Sequence, residues 1–321
     1  MTDLPPFWVA GRAATSAVHV DVTNPYDGSV AGAHAVPDAE QVETAVAAAW
    51  AVRGAFAATS AHQRAEALAH VSRRLVERTE EIAELITAEN GKPIQWARAE
   101  VGRAASVFRF AAEEARRWSG EIQRLDTDAA TAGRTGIVRR FPTGPVLGIA
   151  PFNFPLNLVA HKVAPALAVG APIIVKPAPA TPLSALLLGE LLAETDLPEG
   201  SWSVLPVGND VASALVDDPR LPVVSFTGSE GVGLAIQAAV PHKHVTLELG
   251  GNAAAVVCPD WASDADLDWA ATRIATFANY QGGQSCVSVQ RVLVDRTLWD
   301  RLVPLVVEKV GSLAVGSPWD E

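Results

Sequence analysis

The hydrophobic pattern divides the chain into a helical amino-terminal stretch and a later run of short apolar segments. Over the first hundred residues, apolar positions recur at helical spacing: Val42, Val46, Ala49 and Trp50, then Leu68, Val71, Leu75, Ile82, Leu85 and Ile86. Asn90-Gly91-Lys92-Pro93 predicts a helix stop, because glycine tolerates a left-handed C-terminal residue and proline can open only a new helix. The new helix is expected over about 93–118. This part of the chain reads as scaffold.

From Thr135 onward, short apolar runs alternate with helical segments. The pattern predicts strands at 146–150, 172–176, 202–205, 223–226 and 245–247, with helices at 155–169, 181–194, after Asn209 and after Gly228. Such alternation implies parallel pairing with helices on both faces, and ligands of such sheets lie at the carboxyl ends of the strands. Three loops there have unusual chemistry: 151–155, 176–182 and 226–233. After Gly250-Gly251 a second unit is expected, with a strand at 253–257, a helix at 264–279, a strand carrying Cys286 and a helix at 297–310. Two strands and two helices are too few to bury both faces of their own sheet, so this unit is expected to be incomplete. No internal repeat or low-complexity linker interrupts the chain.

A chain of 321 residues with 49% hydrophobic content can bury a sizeable core and more than one lobe. Its net charge of −11 offers no basic surface for phosphates, which argues against a nucleic-acid partner. The amino terminus lacks the regions of a signal peptide, and no uncharged apolar run reaches spanning length. The expectation is a cytoplasmic protein with no membrane partner.

Cysteine usage sharpens the chemistry. Cys258 and Cys286 are the two cysteines, too few for a disulfide framework and without the spacing of a zinc or redox pair. Cys286 follows a polar, glycine-rich approach, Gln281-Gly282-Gly283-Gln284-Ser285, and reads as a presented nucleophile. Glu248 interrupts an apolar stretch that stops at Gly250-Gly251. A partly buried acid there could be a general base raised by desolvation, or simply the partner of a cation. Cys258 borders an apolar run and reads as an inert packed thiol. His242 and His244 alternate as on a strand, and without further ligands they read as a surface strand end.

The loops carry similar alternatives. Gly228-Ser229-Glu230-Gly231-Val232-Gly233 follows a strand and opens a helix, which suits a pyrophosphate on backbone N–H groups and equally a tight strand–helix turn. Lys176 stands at a strand end before a proline-stiffened turn, and beside that glycine loop it favours a nucleotide. Asn153, between Phe152 and Phe154, could present an amide to a developing oxyanion or stabilise its own turn.

Taken in order, Pro151-Phe152-Asn153-Phe154-Pro155-Leu156, His161-Lys162-Val163-Ala164-Pro165-Ala166-Leu167, Val175-Lys176-Pro177, Phe226-Thr227-Gly228-Ser229, Leu247-Glu248-Leu249-Gly250-Gly251 and Gly283-Gln284-Ser285-Cys286 resemble the aldehyde dehydrogenase superfamily across nearly the whole chain. Asn24-Pro25-Tyr26-Asp27-Gly28 resembles that family's opening segment. The resemblance implies an α/β protein: a parallel Rossmann-like cofactor sheet over 1–249, then the first part of a second α/β catalytic domain over 250–321. It also implies that a segment at about 120–141 is an oligomerisation hairpin of a dimer or tetramer.

The resemblance further implies NAD(P)-dependent oxidation of a small aldehyde to a carboxylic acid. Cys286 would be the nucleophile, Asn153 and the Cys286 N–H the oxyanion donors, Glu248 the base that activates water, and Lys162 an ordering group. Cofactor contacts are expected from Ala150, Pro151, Phe152, Lys176, Pro179, Phe226, Thr227, Gly228, Ser229, Gly233 and Leu249. Lys176 would meet the adenosine ribose and Ser229 the pyrophosphate.

Several positions depart from the family pattern. Pro179 stands where strict NAD users often carry a glutamate that repels a 2′-phosphate, so NADP is expected to be tolerated. Phe152 replaces a common tryptophan, and the approach to Cys286 carries an extra glycine. Relatives continue through a Glu-x-Phe-Gly-Pro segment and a strand that pairs between subunits, so the chain is expected to be truncated, impaired in turnover and prone to aggregate at 253–257 and 289–294. Ser285-Cys286-Val287-Ser288-Val289-Gln290-Arg291 is similar to members that act on small hydroxylated or anionic aldehydes. Two other readings stand beside this one: acyl transfer to coenzyme A, against which Glu248 argues, and an inactive nucleotide-binding or interaction module.

Overall fold

Ile173, Ile174 and Val175 are all fully buried although consecutive side chains on a strand face opposite ways, so both faces of the sheet they form are covered. In the computed structural model, which describes residues 4–320, this strand belongs to a seven-stranded sheet. From edge to edge the strands are His244–Glu248, Val223–Thr227, Val146–Ile149, Ile173–Lys176, Trp202–Val204, Phe7–Val9 and Arg12–Ala14. All pairings among 146–248 are parallel. Val146–Ile149 comes first in the chain among these and lies at their centre, so the strand order reverses between it and Val223–Thr227. That reversal opens a crevice at the carboxyl ends.

The two amino-terminal strands were not anticipated. Phe7–Val9 and Arg12–Ala14 form a tight hairpin that joins the sheet antiparallel, through Trp8 opposite Val204. Ala10 and Gly11 both have positive φ, 55° and 85°, as a two-residue hairpin turn of this hand demands. Segments of three residues are too short to show a period. What holds this edge is tertiary: the Trp8 indole donates to the Leu186 carbonyl at 2.9 Å, and the ring lies directly over Gly189, where a Cβ would come within 2.1 Å of it.

Helices Ala39–Ala57 and Ala61–Glu77 begin at Asp38 and Ser60, whose side chains accept from Gln41 and Gln63 N–H groups. The expected stop at Gly91 is present, with φ of 70° and an N–H bond to Thr87. Ile94–Arg117 follows. Helices Asn157–Val169 and Leu183–Ala193 instead lack side-chain caps of their own. Their first N–H groups are satisfied by buried carboxylates from the amino-terminal bundle: Glu100 accepts from Leu156 and Asn157, and Glu89 from Leu183 and Ser184. Burial pushes Glu89 up to about 7, against these bonds, which pull it down.

Beyond Gly251, Ala254–Val257 and Arg291–Val294 pair in parallel and pack with helices Asp264–Asn279 and Trp299–Gly311 around a separate small core of Val257, Leu267, Ala271, Ile274, Leu298 and Leu302. Val256 and Leu293 on this sheet are more than half exposed. Cys286 is not on a strand, contrary to expectation; it sits in a turn ahead of Arg291–Val294. The hairpin expected near 120–141 is present as Glu121–Arg124 against Thr135–Val138, with Ile122 opposite Ile137 and both about three-quarters exposed. Among the described residues, no helix is long and apolar enough to cross a membrane.

Candidate active site

The crevice is walled by the loops that leave its two strands. On one side, buried Ala150 leads through Pro151 and exposed Phe152 to Asn153. On the other, buried Phe226 and Thr227 lead to Gly228 and Ser229. Ser229 is exposed at the N-terminus of helix Glu230–Ala239 and makes no side-chain cap bond there. The helix end therefore presents N–H groups and the positive end of its dipole to the crevice, as an anion requires. Gly233 is buried for a packing reason, since a Cβ would approach Leu249 Cδ2 to 2.6 Å. Leu249 itself packs partly buried against the main core.

Two lysines approach the crevice from below. Lys162 is buried, its stem crossing Gly148, where a Cβ would stand 3.2 Å from Lys162 Cδ. Its ammonium donates to Ser225 Oγ at 3.1 Å and Thr227 Oγ1 at 2.9 Å, so it braces the strand that carries Gly228 and Ser229. Burial lowers it to about 8, while the Glu248 charge pulls it upward. Lys176 is not on a rim, as a strand-end lysine suggests; it is buried and donates to Asn209 Oδ1 at 3.2 Å. Burial lowers Lys176 too. Asn209, which opens the helix after the neighbouring strand, carries no signal in the sequence beyond its position. Pro179 lies exposed past the Lys176 strand.

Glu248 ends the edge strand opposite Thr227, and Gly228 N–H donates to its carbonyl at 3.1 Å. Its side chain is exposed, which corrects the expectation of a partly buried acid. The turn after it runs beside the Cys286 loop: a Cβ on Gly251 would lie 3.6 Å from the Cys286 carbonyl oxygen. Cys286 is exposed. Cys258 is exposed as well, so it is not the packed thiol that its apolar neighbours suggest. His242 and His244 are exposed at a strand end, as expected.

Asn153 meets the Cys286 loop directly. Its Nδ2 donates to the Gln284 carbonyl at 2.9 Å, and its own carbonyl accepts from Gln281 Nε2. Asn90 Nδ2 donates to the Phe152 carbonyl at 2.8 Å, and Gln281 Nε2 also lies 3.5 Å from Asn90 Oδ1. Behind this mesh, Lys92 pairs with Glu100 in full burial and stands 4.3 Å from the Phe154 ring, which stacks on Tyr280. The contacts made by Asn90, Glu100 and Gln281 carry no signal in the sequence, because what each holds is far away along the chain. A cavity of about 490 Å³ is lined in part by Arg103, Asn157 and His161; neither Asn153 nor Cys286 lines it. Burial lowers His161, and the charges of Arg103 and Lys162 lower it further.

A profile of the aldehyde dehydrogenase family matches residues 8–321. The chain belongs to that family. It is 38% identical to a 3-sulfolactaldehyde dehydrogenase of Priestia aryabhattai, over 98% of this chain and 65% of the relative. Aldehyde dehydrogenase 21 from Physcomitrella patens, solved with the reaction product succinate, superposes with a TM-score of 0.94 at 42% identity, covering 98% of this chain and 65% of that one. The NADP complex of an NADP-dependent glyceraldehyde-3-phosphate dehydrogenase from Bacillus halodurans C-125 gives 0.92 at 34%, covering 99% and 67%. The chain thus spans about 65% of the length of the curated relative quoted.

Proposed function

We propose that the protein oxidises a small anionic aldehyde to its carboxylic acid, with NAD or NADP, through a thioester on Cys286. The observation that carries this reading is the bond from Asn153 to Gln284, which joins the one loop of the crevice bearing a side-chain amide to the loop bearing the thiol. The Cys286 thiolate adds to the carbonyl carbon, and the Asn153 amide and the Cys286 N–H receive the developing oxyanion. A bound nicotinamide supplies the hydride acceptor. Glu248 then takes a proton from water as that water attacks the thioester, which releases the acid and the free thiol. Exposure of Glu248 at the strand end leaves water access to it.

The cofactor reading rests on Gly228 and Ser229 at a helix N-terminus, with Lys176 ending the strand on the other side of Val146–Ile149. Ala150, Pro151, Phe152, Phe226 and Thr227 form the crevice walls around them. Pro179 offers no carboxylate to repel a 2′-phosphate, which supports NADP as a partner. The substrate reading rests on Arg103 and His161, which line one cavity with Asn157. Sulfolactaldehyde, succinate and glyceraldehyde 3-phosphate, named for the relatives, all carry an anionic group.

We take 1–249 as the cofactor domain and 250–321 as the first part of the catalytic one, with the apolar Ile122–Ile137 face of the hairpin as the surface that joins copies. A cytoplasmic setting keeps Cys286 reduced. The test is reduction of NADP and NAD followed with sulfolactaldehyde, succinate semialdehyde and an uncharged aldehyde of equal length. A marked preference for the anions, lost in Cys286→Ser, supports the reading; oxidation that persists in Cys286→Ser overturns it.

A further inference from the structure

Gln281 combines three features that do not occur together elsewhere in the described chain. Its backbone is left-handed, at φ 54° and ψ 46°, and only Ala10 among the other described non-glycine residues has positive φ. Its side chain is 95% buried by exposure of 5%. Its amide donates to the Asn153 carbonyl and toward Asn90 Oδ1, while Oε1 is buried without a partner. A left-handed position next to Gly282 and Gly283, at φ 62° and 78°, would be most comfortable as a third glycine. Strain and an orphaned oxygen at one residue persist only where the surroundings over-determine them, and here that residue lies between the amide loop and the thiol loop.

We propose that Gln281 is a positioning residue that clamps the Cys286 loop to the Asn153 loop. The clamp has two ties of opposite direction: Gln281 Nε2 to the Asn153 carbonyl, and Asn153 Nδ2 to the Gln284 carbonyl. Between them they enclose Gly282 and Gly283, which have no side chains to hold a conformation. Gln281 therefore sets where the thiol stands relative to the amide, and Asn90 fixes both Gln281 and the Phe152 carbonyl from the amino-terminal bundle. This inference rests on the reading of Cys286 as the nucleophile.

Its test needs no substrate. The chain, Gln281→Met and Gln281→Gly are treated with iodoacetamide in the presence of NADP, and alkylation of Cys286 and of Cys258 is followed by mass spectrometry. Cys258 is the exposed internal reference. Methionine keeps the length and the left-handed strain but has no donor; glycine removes the strain together with the clamp. Both variants are expected to lower the Cys286 to Cys258 rate ratio by about tenfold, with unfolding temperatures that do not track the loss. A ratio within about twofold of the parent in Gln281→Met overturns the proposal, and that variant decides alone where the glycine variant does not fold. In the unaltered chain, Cys286 reacting no faster than Cys258 overturns the nucleophile reading itself; selective Cys286 labelling that both variants preserve overturns the clamp alone.

Discussion

Glu100 Oε1 accepts the backbone N–H of Asn157 at 3.0 Å, from a helix more than fifty residues earlier in the chain. The same oxygen accepts from Leu156, and the other carboxylate oxygen pairs with Lys92. A helix that begins just past the Asn153 loop is thereby anchored by a charge in the bundle. Its position is decided by a group that the helix does not contain.

Removing that charge should be severe. Glu100→Ala leaves Lys92 buried without its partner and two N–H groups unsatisfied, so a loss of about 3–5 kcal/mol is expected in urea unfolding. Glu100→Gln keeps an acceptor and should lose less. Equal stability of Glu100→Ala and the parent would show that the cap carries no weight.

Lys162 predicts a pH dependence with a definite sign. Burial lowers it from 10.5 to about 8, so between those values the folded state holds fewer protons than the unfolded one. Stability from this group therefore rises with pH across that window, and below it the desolvation penalty is present in full. Between pH 8 and 10 the chain should gain roughly 2 kcal/mol over a Lys162→Met variant measured alongside it by denaturant unfolding. A flat difference between the two would remove the argument.

Cofactor choice tests the exposed turn after Lys176. Introducing a carboxylate by Pro179→Glu should weaken NADP binding by about tenfold and leave NAD nearly unchanged, through repulsion of the 2′-phosphate. Calorimetric titration of both cofactors measures it. Equal effects on the two would place the adenosine ribose elsewhere.

The Trp8 edge is the fourth case. In Gly189→Ala the new methyl would enter the indole ring and force it from the Leu186 carbonyl. The expected loss is about 1–3 kcal/mol, read from thermal or urea unfolding. Tryptophan fluorescence should shift with it, since Trp8 is buried beside Trp202.

Much of the architecture was legible because it is written in local periods. The runs at 146–150, 172–176 and 223–226 are dominated by consecutive apolar residues, which marks strands covered on both faces, and Gly91 marks a helix end by its own conformation. Phe7–Val9 and Arg12–Ala14 are not legible because three residues hold no period, and the turn at 286 resembles a strand start because an apolar run follows the thiol. Burial was harder still. Glu248 and Cys258 are exposed despite apolar neighbours, and Lys176 is buried despite its place at a strand end.

The sequence by itself determined the alternation of strands and helices, the loops that bear Asn153, Gly228 and Cys286, and the resemblance those motifs carry in their order. Tertiary structure alone decided which charges are buried and which distant groups hold the site together: Glu100 on Asn157, Lys162 on Thr227, Gln281 on Asn153. The reason is physical. A period or a turn residue acts on its own few neighbours, whereas a buried hydrogen bond acts between segments that only the folded sheet and bundle bring within about 3 Å.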